Sequence, residues 1–305
     1  NASILATNPA AIGVFKQSQF STSVSVIAPS VDVSGNVSYA AGGQPVGATE
    51  SSDSDIADTA IVPSVFYTSP INDKWSAGVG LFTTYGLRSD YSDDFEALHF
   101  ADTAEVRSIT LNPAVSYKLN DNLMLGLGLN ATFADAEISS AISNSLSPIL
   151  SGALQTQVPA NTSIFKLEGE DWGFGWNVGA LWQPTDATNI ALSYRAETEL
   201  TLSGDVSSQI TAELNQPGSL DLNLAAITEL AVNQRLDSQW SVQASLTFTD
   251  WSTFEKLEAN LNDGSDFLIK QENFDDSLRA SVGVTYILSD ELTLRAGYAY
   301  DDGVV

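Results

Sequence analysis

Apolar residues alternate with small or polar ones, at period two, over stretches longer than the strands of an ordinary soluble sheet. Leu123, Leu125, Leu127, Leu129, Ala131 and Phe133 fall on one side of such a strand, and Met124, Gly126, Gly128, Asn130 and Thr132 on the other. The pattern returns in Trp240, Val242, Ala244, Leu246 and Phe248, and in Trp172, Phe174, Trp176, Val178 and Ala180. It returns again in Leu278, Ala280, Val282, Val284 and Tyr286, and in Leu292, Leu294, Ala296, Tyr298 and Tyr300. One face is oily and the other small or polar, which suits a wall with an apolar medium outside it. The periodicity predicts eleven strands, at about 14–30, 56–70, 74–87, 104–119, 122–138, 170–184, 188–203, 219–236, 239–254, 277–288 and 292–301.

The connections are sorted by length. Asn72-Asp73, Asn120-Asp121-Asn122, Thr185-Asp186, Asp237-Ser238 and Ser289-Asp290 are short turns with hairpin chemistry. Between those hairpins lie long acidic segments at about 31–55, 88–103, 139–169, 204–218 and 255–276. A soluble sandwich has no reason to alternate turn lengths in this way, whereas a barrel with short periplasmic turns and long outer loops does. Trp75, Tyr117, Trp172, Trp182 and Trp240 stand near strand ends, where a girdle of aromatic residues would meet lipid headgroups. The fold class expected is therefore all-β, a transmembrane antiparallel β-barrel of the bacterial outer membrane. Lipid cannot satisfy open sheet edges and bacterial barrels use even strand numbers, so the reading expects further strands beyond Val305. No export signal is visible at Asn1, so the sequence is expected to start after it.

Composition removes several functions. No segment offers the ~18–20 uninterrupted apolar residues of a membrane-spanning helix. A net charge of −26 with only 12 Lys and Arg argues against nucleic acid as a partner. With no cysteine and one histidine, His99, the chain lacks the usual ligands of a metal centre, and no cofactor is expected. His99 reads as a loop residue, and no Ser-His spacing recommends a catalytic centre.

Ordered along the chain stand Asn8-Pro9-Ala10, the segment Ala28 to Gly35, Pro70-Ile71-Asn72-Asp73, Tyr85-Gly86-Leu87, Trp172 to Asn177, and Ser193-Tyr194-Arg195. As a set these resemble the outer-membrane long-chain fatty-acid transporters of the FadL type, along nearly the whole chain. The resemblance implies a fourteen-stranded barrel plugged by an N-terminal hatch. Residues 1–13 would then be the end of the hatch and 14–305 a C-terminally truncated barrel. It further implies a monomer in contact with outer-membrane lipid and lipopolysaccharide. A long-chain fatty acid or similar hydrophobic small molecule would be caught on the loops, held in an apolar luminal pocket and released sideways at a kinked third strand. No enzymatic activity is expected.

Carried onto this sequence, the resemblance assigns the kink to Thr84, Tyr85, Gly86 and Leu87, the hatch motif to Asn8, Pro9 and Ala10 with Asp301 as a polar partner, and headgroup contacts to Lys270 and Thr83. Gly86 could equally be one more interior glycine, Lys270 a solvated loop lysine, and Asn8-Pro9-Ala10 a simple turn. Alternation puts Thr83 on the face of Trp75 and Val79, so it reaches inward only if the strand is irregular there. Ile142, Leu146, Leu150 and Leu154 recur at helical spacing around Ser147-Pro148, a helix start, and are candidates for ligand contact or for packing of their own loop. Where the family has an arginine near the third outer loop this chain has Ser140, with Glu137 nearby. That departure keeps open a neutral alkane or aromatic hydrocarbon as the ligand. An outer-membrane enzyme or a surface receptor are the readings from other classes.

Overall fold

The structure, a computed structural model, describes residues 1–41 and 43–304. Two 3-10 turns, Ala2–Ala6 and Pro9–Val14, precede the strands. These are β1 (Gln19–Ile27), β2 (Val33–Ala41), β3 (Gln44–Asp53), β4 (Ala60–Pro70), β5 (Trp75–Phe82) and β6 (Gly86–Asp90). The three longest strands follow, with a helix between the second and third: β7 (Thr103–Asn120), β8 (Leu123–Ala141), α1 (Leu146–Leu154) and β9 (Ser163–Thr185). Then come β10 (Thr188–Arg195), β11 (Thr201–Ser207), β12 (Gln216–Asp221), β13 (Ile227–Arg235) and β14 (Trp240–Thr249). β15 (Lys256–Leu261), β16 (Asp266–Gln271), β17 (Ser277–Ile287) and β18 (Thr293–Asp301) complete the chain.

The main sheet runs β1-β4-β5-β7-β8-β9-β10-β13-β14-β17-β18, every pair antiparallel. Each of the eleven predicted strands supplies one member of this path. The segments expected to be loops carry further strands. β2 and β3 form a separate hairpin, and β11, β12, β15 and β16 extend from the upper half of β9 as a second wing. Three strands expected to be continuous are broken, at 83–85, 196–200 and 222–226. The last two breaks are stitched to each other by paired backbone hydrogen bonds between Thr198 and Leu224, of 3.0 and 2.9 Å.

The outer face of the wall is apolar to a sharp upper limit. Leu125, Leu127, Leu129 and Phe174 are exposed, Phe174 at 75%. From Leu123, beside Trp182, to Phe133 is roughly 33 Å along the strand, which a tilt of about 40° brings to the ~25 Å apolar band of such a barrel. Immediately above, charge begins in register: Arg107 pairs with Asp135 and Asp135 with Glu170, while Glu105, Glu137 and Glu168 follow one pair higher. Aromatic pairs mark the lower limit, Trp75 on Tyr117 at 4.7 Å and Trp240 on Tyr286 at 4.4 Å between ring centroids. Phe133 and Trp172 mark the upper one at 5.4 Å.

His99 sits outside the membrane band, between Tyr39 and Phe100, with ring centroids 5.9 and 4.2 Å away. Burial holds its imidazole below the usual histidine range, so it packs as a neutral ring beneath the β2–β3 hairpin.

Candidate functional site

The inner face is built to receive the N-terminal segment. Ser116, Gly126, Gly179 and Ser193 face one another in successive strands at a single height. A Cβ on Gly126 would overlap the Ala10 backbone, and one on Gly179 the Asn8 amide. One step higher, a Cβ on Gly78 would come within 2.5 Å of Leu5. Asn8 Oδ1 accepts from the Ala10 N–H at 2.9 Å, capping the second 3-10 turn as asparagine does before Pro at a helical N1 position. Its Nδ2 donates to the carbonyls of Ala180 and Leu192 at 3.3 and 3.1 Å. The Ser116 hydroxyl donates to Ala10 O at 2.9 Å. Leu5 and Ile12 are buried against Phe66, Phe82 and Ala114. Asp301 lies elsewhere, at the end of β18 opposite Arg279, and is exposed.

The wall is irregular at Thr83–Tyr85. Phe82 pairs with Thr110 and Gly86 with Arg107, so the chain takes four steps along β5 and β6 against three along β7. The extra residue is a bulge, which bends a strand and re-aims its side chains. Thr83 donates its hydroxyl to Ser108 O at 2.8 Å, and Ser108 in turn donates to Tyr85 O at 2.5 Å. The Thr84 hydroxyl is buried without a partner among the described residues. Beyond the bulge, among the described residues, β6 pairs with β7 alone, whereas β4 continues upward to Ala60 beside β1. Gly86 has no left-handed backbone angle, and a Cβ there would stand 3.7 Å from Val106 O, an ordinary contact. The bend therefore comes from the added residue rather than from conformations open only to glycine.

Inside this break lies a cavity of about 470 Å³, within the range of small-molecule sites. Tyr85, Gly86 and Leu87 form one side, Val106 and Ile138 another, and Leu220, Leu222, Leu224, Trp251 and Phe254 the far side. Ile269 and Lys270 close it from β16. Tyr85 spans the lumen, its hydroxyl donating to Ala225 O at 2.7 Å and its ring meeting Trp251 edge-on at 5.6 Å. Behind the lining, Phe165, Leu167, Leu200 and Leu202 form a buried apolar cluster with Leu220 and Ala259.

The cavity thus joins the proposed kink residues Tyr85, Gly86 and Leu87 to Lys270, although 183 to 185 positions separate them in sequence. Lys270 already has a partner, Glu272 Oε1 at 3.0 Å, and its side chain is 60% exposed. Thr83 and the α1 positions fall outside the lining. Ile142 is fully buried and Leu154 is exposed; α1 is held to its own loop by Ser147 and Ser151, which both donate to Val158 O. Ser140 pairs with Phe165 in the β8–β9 ladder, and Glu137 bridges to Lys166 at 3.0 Å. Sequence reading missed Trp251, Phe254 and the Leu220–Leu224 segment. The signal was present as aromatic and leucine residues inside otherwise acidic stretches.

The family model for the outer membrane protein transport proteins (OMPP1/FadL/TodX) matches residues 1–305. A long-chain fatty acid transport protein of Escherichia coli O6:H1 is 34% identical over 324 residues, covering 98% of this chain and 71% of that protein. Outer membrane protein P1 of Haemophilus influenzae is 31% identical, covering 99% and 71%. Among solved structures, a Pseudomonas aeruginosa FadL homologue superposes with a TM-score of 0.83 at 22% identity, covering 100% of this chain and 76% of that one. The Ralstonia pickettii toluene transporter TbuX superposes at 0.73 with 18% identity, covering 99% and 82%.

Proposed function

The chain belongs to the OMPP1/FadL/TodX family of outer membrane transport proteins, and from that premise we propose that it carries long-chain fatty acids inward by passive diffusion through the barrel wall. Transport of hydrophobic molecules across the bacterial outer membrane is the family's activity; the ligand and its route are the proposal. In this reading residues 1–13 are the luminal hatch, Asn8, Pro9 and Ala10 hold it shut, and the ligand leaves at the bulge between β5 and β6. The carrying observation is that an apolar cavity opens against the one place where the wall's third spanning strand is broken and β6 lacks pairing to β4. An alkyl chain lying there would be shielded from water by Tyr85, Trp251 and Phe254, gaining about 0.8 kcal/mol per buried methylene. Lys270 at the rim would meet the carboxylate, and no chemical step is needed.

Neutral hydrocarbon is the second reading, favoured by one observation: Lys270 is already paired with Glu272. Uptake of labelled oleate and of hexadecane by cells lacking their own transporter and carrying the full-length protein separates the two. Oleate uptake that falls several-fold in Lys270→Ala, with hexadecane unchanged, supports the acid. Hexadecane uptake without oleate uptake selects the hydrocarbon, and failure of both rejects transport by this route.

A further inference from the structure

Arg195 is the last residue of β10 and one step above the hatch seat, cross-strand from Asn177. It is largely buried, and no carboxylate among the described residues pairs with it. Nη1 donates to Asn130 Oδ1 at 2.8 Å and Nη2 to the carbonyl of Ala6 at 2.6 Å, while the guanidinium carbon lies 5.3 Å from the centre of the Phe82 ring. A buried cation held by neutral acceptors and an aromatic face is a costly arrangement unless an anion completes it for part of the cycle. Around it the polar inventory is also incomplete. Asn130 Nδ2 and Asn177 Nδ2 are donors without a partner among the described residues, in residues at least 98% buried.

Resting on the fatty-acid reading, we propose that Arg195 is a second headgroup station and the latch of the hatch: the ligand carboxylate and the Ala6 carbonyl compete for its guanidinium. A carboxylate forms the stronger, charge-assisted bond and can accept from both the guanidinium and a neighbouring amide N–H. When it takes Nη2 from Ala6, the turn Ala2–Ala6 loses the hydrogen bond that Arg195 supplies, while Asn8 and Ala10 keep theirs to the wall. Arg195 stands outside the lining of the cavity but close to Tyr85, so in this proposal the tail of a ligand held at Arg195 runs past Tyr85 towards the break. An acid therefore loosens the first turn of the hatch, and a neutral molecule of equal length does not.

The test uses full-length protein in detergent carrying Thr7→Cys, an exposed hatch position in a chain with no cysteine of its own, labelled with a nitroxide. Oleate should raise the label's mobility and oleyl alcohol should not. Arg195→Gln should be mobile without ligand and bind oleate about tenfold more weakly, with oleyl alcohol binding unchanged, whereas Arg195→Lys should keep a reduced response. Bound oleate with an unaltered spectrum, or equal mobilisation by acid and alcohol, overturns the latch and leaves the transport reading intact. Absence of binding by either ligand overturns both. If Arg195→Gln does not fold, the comparison of the two ligands on the Thr7→Cys protein still decides.

Discussion

Gly126 and Gly179 face each other across β8 and β9, and together leave the space that Asn8, Pro9 and Ala10 fill. A methyl group at either would meet backbone or the Asn8 amide rather than a flexible side-chain end. Gly126→Ala should therefore lift the hatch from its seat and destabilise the fold by about 1–3 kcal/mol, the usual range for overpacking. Gly35→Ala, where nothing lies within 4 Å, is the control. Asn8→Ala removes a turn cap and two bonds to wall carbonyls, and should cost about 1–3 kcal/mol. Thermal unfolding in detergent, followed by the gel-mobility shift between folded and unfolded barrel, reads both. From sequence, the glycines were legible as an inward, small-residue face, but their partner was not. Thirteen residues of non-repeating chain, 1–13, carry no periodicity that could say which row they touch.

At the scale of elements, the bulge at Thr83–Tyr85 is where, in the proposed route, the ligand would leave the wall. Its extra residue stands just beyond the last pair between β4 and β5, so removing one residue should let the strand run on in register with β7. Deletion of Thr84, whose hydroxyl is buried and unpartnered, should leave a barrel that folds and binds oleate but delivers it several-fold more slowly. Unchanged delivery by a correctly folded deletion would remove the lateral route. Gly86→Ala is expected to be nearly neutral, because its backbone angle and neighbours are ordinary. The strands of the main sheet were legible because lipid imposes a strict period on the outer face. β11, β12, β15 and β16 were not, since they stand above the lipid limit and bury short runs such as Leu257, Ala259 and Leu261 against one another amid acidic residues. The breaks at 196–200 and 222–226 were hidden for a related reason. Their alternation continues through Leu200, Leu202, Leu220, Leu222 and Leu224, but the side chains turn from the wall into the cluster behind the cavity. Lys270 reached the candidate site only through resemblance, because nothing local to β16 says which strands it will face.

For the whole molecule, the decisive property is that the outer face of adjacent spanning strands is apolar at matching heights, below the level at which charge begins. In a water-soluble protein, Leu127, Leu129, Trp176 and Tyr194 on neighbouring strands would be an aggregation surface; in a bilayer they are the solvent contact. The net charge of −26 is compatible with this because the acidic residues on β7, β8 and β9 begin only above Phe133 and Trp172. Their mutual repulsion is thus spent in water and headgroups, where it is screened, rather than in hydrocarbon. This division makes a quantitative claim about position. Leu129→Arg, at the middle of the band and 60% exposed, should destabilise the protein by about 2–4 kcal/mol in lipid vesicles. Val46→Arg, on the β2–β3 hairpin outside the band and 48% exposed, should change stability by less than about 0.5 kcal/mol. Reversible urea unfolding from vesicles measures the difference. Equal effects at the two positions would mean that both face water, and the membrane orientation derived from the alternation would have to be abandoned.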